Sequence, residues 1–142
     1  MYRSILVPID VEQPSSWEKS VPTAVALCRC FSASLALTAV VPNQQLMIEA
    51  EWSAVAFRQL IDIAKARLAE IADGITEVPN VARYVEAGGI YTNILNVAER
   101  VSADLIVLSS HRPEMEDYLL GTNASRVVRH ARCSVFVVRG EN

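Results

Sequence analysis

Cysteine, aromatic residues and glycine are all sparse in this chain of 142 residues. The three cysteines, Cys28, Cys30 and Cys133, form neither a disulfide framework nor a set with metal-ligand spacing. Cys28 and Cys30 alone are too few for a zinc site, and no metal centre is expected. They read as small fillers of helix and strand, in a protein kept in a reducing cytoplasm. No basic run occurs, and the formal net charge is −3. That excludes the positive face a nucleic-acid binder needs. No apolar stretch reaches the length of a membrane span. The chain opens almost at once on a strand-like run, Ile5-Leu6-Val7, so no leader peptide is expected. Repeats, low-complexity tracts and linkers are lacking too, which predicts a single domain over residues 1–142.

What is present is Ala, Val, Leu and Ile in short blocks, alternating with helical stripes. Half of the residues are hydrophobic. Ile5 to Ile9 reads as a first strand, with Pro8 near its end, where a lost ladder bond is tolerated. Ser15 and Glu18 have capping-box spacing and predict a helix that buries Val21, Ala24, Val25, Cys28 and Phe31. Pro22 is awkward unless it falls in the first turns of that helix. Leu35 to Val41 is a second strand, and 43–53 reads as loop. Ala54 to Ala72 carries the longest stripe, through Phe57, Leu60, Ile61, Ala64, Leu68 and Ile71. Gly74 is expected to close it as a left-handed cap. Val81 to Glu86 is more polar and predicts an edge strand. After the turn at Gly88-Gly89 come a helix to Val101, a buried strand from Leu105 to Ser109, a helix from Asn123 to His130, and a strand from Val135 to Val138.

Strict alternation with near-continuous apolar strands predicts an α/β fold, a doubly wound parallel sheet with helices on both faces. With five strands the expected order is 3-2-1-4-5. Ligands of such sheets bind beyond the carboxyl ends of the strands, where the order reverses. Here that places Pro8, Ile9 and Asp10 beside Leu108, Ser109, His111 and Arg112, with Val40 alongside. Asp10 is fit either to accept from ribose hydroxyls or to hold a turn. Val40 offers an apolar wall and backbone groups to a purine edge. Gly121, Thr122, Asn123 and Ala124 open the last helix, where free N–H groups and the helix dipole favour a phosphate by about 0.3–1 kcal/mol. An ordinary helix cap is the other use of that run. No G-x-G-x-x-G follows the first strand and no P-loop exists, so a nucleotide would depend on the fourth-strand loop and the last helix. The acidic residues Glu114, Glu116 and Asp117 read as a solvated loop.

Three stretches, I-L-V-P-I-D, A-D-L-I-V-L-S-S-H-R and L-L-G-T-N-A-S-R-V-V-R-H-A-R-C-S-V-F-V-V-R, resemble the universal stress protein family over nearly the whole chain. The resemblance implies a Rossmann-like sheet, a homodimer paired through the fifth strand, Ser134 to Arg139, and action in the cytoplasm. It implies ATP, or AMP or ADP, with Mg²⁺ as an optional companion. Pro8, Asp10 and Val40 would flank adenine and ribose; Ser109, His111, Arg112, Gly121, Thr122 and Asn123 would surround the phosphates. Two glycines of the family's ATP pattern are replaced here, by Ser109 and Arg112, and the spacer to Gly121 is one residue shorter. Arg112 has a guanidinium able to fork onto phosphate oxygens. Two alternatives stand beside nucleotide binding: an interaction dimer that ignores nucleotides, and a slow ATP hydrolase using His111 as base. No nucleophile–base pair is evident, and no catalytic residue is assigned. His130 is explained by the helix dipole.

Overall fold

The computed structural model describes residues 1–42, 54–110 and 122–139. In chain order they form β1 (Ser4–Ile9), a short 3₁₀ turn (Pro14–Ser16), α1 (Ser20–Phe31), β2 (Ser34–Val41), α2 (Ala54–Asp73), β3 (Ala82–Ala87), α3 (Ile90–Arg100), β4 (Leu105–Ser110), α4 (Thr122–His130) and β5 (Ser134–Arg139). The five strands make one sheet in the order β3-β2-β1-β4-β5, and every pairing is parallel. The doubly wound fold and the 3-2-1-4-5 order are as expected.

Side-chain alternation sorts the sheet into two cores. Ile5, Val7, Leu35, Leu37, Leu105 and Val107 face α1 and α2, meeting Ala24, Cys28, Leu68 and Ala72. Leu6, Ala36, Ile106 and Leu108 face α3 and α4, meeting Ile94, Val97, Ala98 and Val127. The helices change face because right-handed crossovers run outward to β3 and then back across the sheet to β4.

Three local expectations are corrected. Ser15 does not cap α1; it lies in the 3₁₀ turn, and α1 begins at Ser20. Pro22 is the physical reason. A helix begun at Ser16 would place it in the interior, without an N–H and against the carbonyl of Glu18, whereas a start at Ser20 puts it in the first turn, where N–H groups have no helical acceptor. Gly74 is not a left-handed cap, since its φ is not positive, although its N–H does bond the Glu70 carbonyl at 3.1 Å. A left-handed cap does close α1, at Ser32, with φ 56°. Of the stripe on α2 only Ala64 and Leu68 are fully buried, with Ala72 beside them; Phe57, Leu60, Ile61 and Ile71 are half-buried.

β3 is an edge strand, as its polarity predicted. Its edge carries charge: Arg83 pairs with Asp73 at 3.1 Å, and Arg100 pairs with Glu86 while lying over the Tyr84 ring. Such charges disfavour pairing with another strand.

In the interior of the sheet, at the amino ends of the strands, Asp104 ties β1 to β4. Its carboxylate accepts from the N–H groups of Arg3, at 2.9 and 3.1 Å, and Ser4, at 3.1 Å. The Asp104 N–H in turn donates to the Ser4 carbonyl at 3.0 Å. Above this clamp the β1–β4 register comprises only Ile5↔Leu105 and Leu6↔Ile106, while β1 stays in register with β2 up to Ile9↔Ala39. Pro8 has no N–H to give a ladder. β1 and β4 are thus joined at their amino ends and part toward their carboxyl ends.

Hydrogen bonds to a charged group contribute about 1.5–3 kcal/mol. Asp104→Ala should therefore lower the free energy of unfolding by about 2 kcal/mol, with Asp104→Asn losing less. Urea denaturation checks this, and an unchanged midpoint for Asp104→Ala would contradict the clamp. The cysteines give a second test. Burial pushes the Cys28 thiol up to about 11, and Cys30 is exposed. Because the folded value lies above the usual value of 9.0, the stability that burial gives Cys28 is complete below pH 9 and is lost as pH climbs toward 11. Iodoacetamide at pH 8 should label Cys30 in the native protein and spare Cys28; equal labelling of both would contradict the packing.

Candidate functional site

Where β1 and β4 part, a crevice of about 640 Å³ opens over the carboxyl ends of β1, β2 and β4. It straddles the end of the sheet as two lobes. On the side of α3 and α4, Pro8, Thr38, Val40 and Leu108 form the floor, and Ile90, Ile94, Ala124 and Val127 form the wall. On the side of α2, Ile9, Ala39 and Val41 meet Leu60, Ile63, Ala64 and Arg67. Asp10, Glu12 and Ser16 line the rim between β1 and α1.

Asp10 is held by its own turn. Its N–H donates to the Ser16 hydroxyl at 2.9 Å, and that hydroxyl donates back to the Asp10 carbonyl at 3.0 Å. Oδ1 accepts from the Glu12 N–H at 3.0 Å. Oδ2 has no partner among the described residues. The turn role and an acceptor role therefore coexist in one carboxylate. Arg67 approaches Glu12 to 3.7 Å, an exposed pair that contributes little to stability. α4 enters the crevice by its first turn, with Asn123 and Ala124 on the lining. Its first N–H groups lie at that end, where the dipole is positive.

The residues predicted from the sequence converge well where the structure describes them. Pro8, Ile9, Asp10, Val40, Leu108, Ser109, Asn123 and Ala124 all line the one crevice. Thr122 is the first residue of α4. His111, Arg112 and Gly121, like the acidic residues 114, 116 and 117, lie outside the described residues. His130, in the last turn of α4, stacks on Tyr91 with ring centroids 5.8 Å apart.

Sequence reasoning missed Ser16, Arg67 and Thr38. Ser16 was assigned to a helix that starts later. Arg67 sits on α2 one turn beyond Ala64. Thr38 had a visible signal, a single hydroxyl inside L-A-L-T-A-V-V. Thr38 Oγ1 and Ser109 Oγ are buried and have no hydrogen-bond partner among the described residues, and both residues line the crevice. Buried polar groups are normally satisfied, so two open hydroxyls in one cavity mark it as a place for a polar occupant.

Among the described residues, no group of three or more His, Cys, Asp or Glu side chains could hold a metal ion, and no helix is long and apolar enough to cross a membrane.

Comparison with known proteins agrees with this architecture. Universal stress protein G of Shigella flexneri is 31% identical over 143 residues, covering 98% of this chain and 100% of that protein. The solved universal stress protein UspA from Lactobacillus plantarum superposes with a TM-score of 0.70 at 24% identity, over 97% of this chain and 98% of that one. A universal stress protein in complex with cAMP gives 0.64 at 22% identity, over 99% and 98% of the two chains. The universal stress protein from Archaeoglobus fulgidus in complex with dAMP gives 0.65 at 16% identity, over 96% and 97%. The sequence profile of the Universal stress protein family matches residues 1–139, and the chain belongs to that family.

Proposed function

We propose that the crevice binds an adenine nucleotide, ATP or its mono- and diphosphate, and that the protein acts as a dimeric stress-response protein of the cytoplasm. One observation carries the reading. The parting of β1 from β4 brings an apolar lobe, the Asp10 carboxylate and the first turn of α4 to a single cavity. These match the three parts of a nucleotide: base, ribose and phosphate. Related structures bound to cAMP and dAMP support the same ligand class. In this reading Val40 and Leu108 pack on the base, and Asp10 Oδ2 accepts from ribose. Ser109, His111, Arg112, Gly121 and Thr122 serve the phosphates, where Mg²⁺ is an optional companion. No residue is assigned a catalytic role.

Dimerisation is proposed through β5. It is a sheet edge, and Phe136 on it is 44% exposed. An uncovered apolar edge invites pairing, and a two-fold antiparallel match of β5 with itself would close it. The three free cysteines suit a reducing compartment.

Calorimetry with ATP and AMP tests the ligand. Wild type should bind, Asp10→Ala should weaken binding about tenfold, and Arg112→Gly should change affinity while leaving the melting temperature in place. An absence of binding, together with no nucleotide in native mass spectra, would leave the interaction dimer as the better reading. For the dimer, light scattering should show wild type as two chains and Phe136→Lys as one; a wild-type monomer would contradict pairing through β5.

A further inference from the structure

We propose that Thr38 is a base-binding residue of the crevice, whose hydroxyl hydrogen-bonds the polar edge of the bound base, directly or through one water. The inference rests on the nucleotide reading and deepens it. Thr38 sits in the middle of β2, in register with Pro8 on one side and Tyr84 on the other. It is fully buried, and its Oγ1 has no partner among the described residues. Around it the lobe is apolar: Pro8, Val40 and Leu108 on the floor, Ile90 and Ile94 on the wall. A valine would fill the same volume without an unsatisfied oxygen, so the hydroxyl is a loss to the empty protein. It becomes a gain only when something in the lobe bonds it.

The shape of the lobe narrows what that something is. Its walls are apolar, which suits the face of a ring, and Thr38 belongs to the floor on which such a ring would rest. A threonine hydroxyl both donates and accepts, so it reads a ring nitrogen or an exocyclic amine, but not a hydrocarbon edge. Rotation about one torsion exchanges hydroxyl and methyl, which lets the oxygen turn toward an occupant without moving the strand. Pro8, directly across in β1, has no N–H to satisfy the oxygen from within. Ser109, the other open hydroxyl, alternates to the opposite face of the sheet and cannot serve the same lobe.

The test titrates ATP and GTP into wild type, Thr38→Val and Thr38→Ser, and measures the melting temperature of each ligand-free protein. Thr38→Val should bind ATP about tenfold more weakly. Thr38→Ser should stay within about threefold of wild type, because it keeps the oxygen. Ligand-free Thr38→Val should melt at or above wild type. Equal ATP affinity for wild type and Thr38→Val would overturn the proposal alone. So would a ligand-free Thr38→Val that melts well below wild type, because the hydroxyl would then have a partner inside the protein. Failure of wild type to bind either nucleotide would overturn the nucleotide reading, and this proposal with it.

Discussion

β1 and β4 are pinned at one end and open at the other, and the rest of the molecule is arranged around that fact. Two backbone N–H groups held by the Asp104 carboxylate fix the amino ends. Two register pairs later the strands are no longer matched. A parallel sheet whose order reverses there has helices leaving to opposite faces, so nothing crosses over the gap. The crevice is therefore a consequence of topology, and the side chains around it decide what it admits.

Those side chains divide the work. Aliphatic residues on alternating strand positions supply an apolar lobe continuous with the α3–α4 core. The turn after β1 is stiffened by the Ser16–Asp10 exchange and presents one carboxylate oxygen. The first turn of α4 supplies backbone donors. The buried side-chain oxygens without a hydrogen-bond partner among the described residues, Thr38 Oγ1 and Ser109 Oγ, both belong to residues that line the crevice. A protein that buries a hydroxyl without a partner loses stability, so their placement at the ligand end of the sheet is informative.

Much of this was legible in the chain. The doubly wound sheet followed from the alternation of strands and helices, Pro8, Asp10 and Val40 followed from the expected strand order, and Asn123 followed from its place at the start of the last helix. What was not legible depended on competition between local signals. Ser15 and Glu18 spelled a helix start, but Pro22 shifted the start to Ser20 and freed Ser16 to brace Asp10. Gly74 had the composition of a left-handed cap, yet its φ is not positive, whereas Ser32, with no glycine to announce it, takes the left-handed conformation after α1. Thr38 was hidden in plain sight: in an apolar strand one hydroxyl reads as tolerated, and only burial and the lack of a partner give it meaning. Arg67 needed the packing of α2 against the sheet end, which periodicity alone does not supply.

The central claim is that the opening between β1 and β4 is the nucleotide site. Backbone amide chemical shifts during a titration with AMP test it most directly, because they report position as well as binding. Shifts should concentrate at Ile9, Val40, Leu108 and Asn123, and stay small near the Asp104 clamp. A titration that leaves those four amides unmoved, or moves chiefly the far end of the sheet, would contradict it.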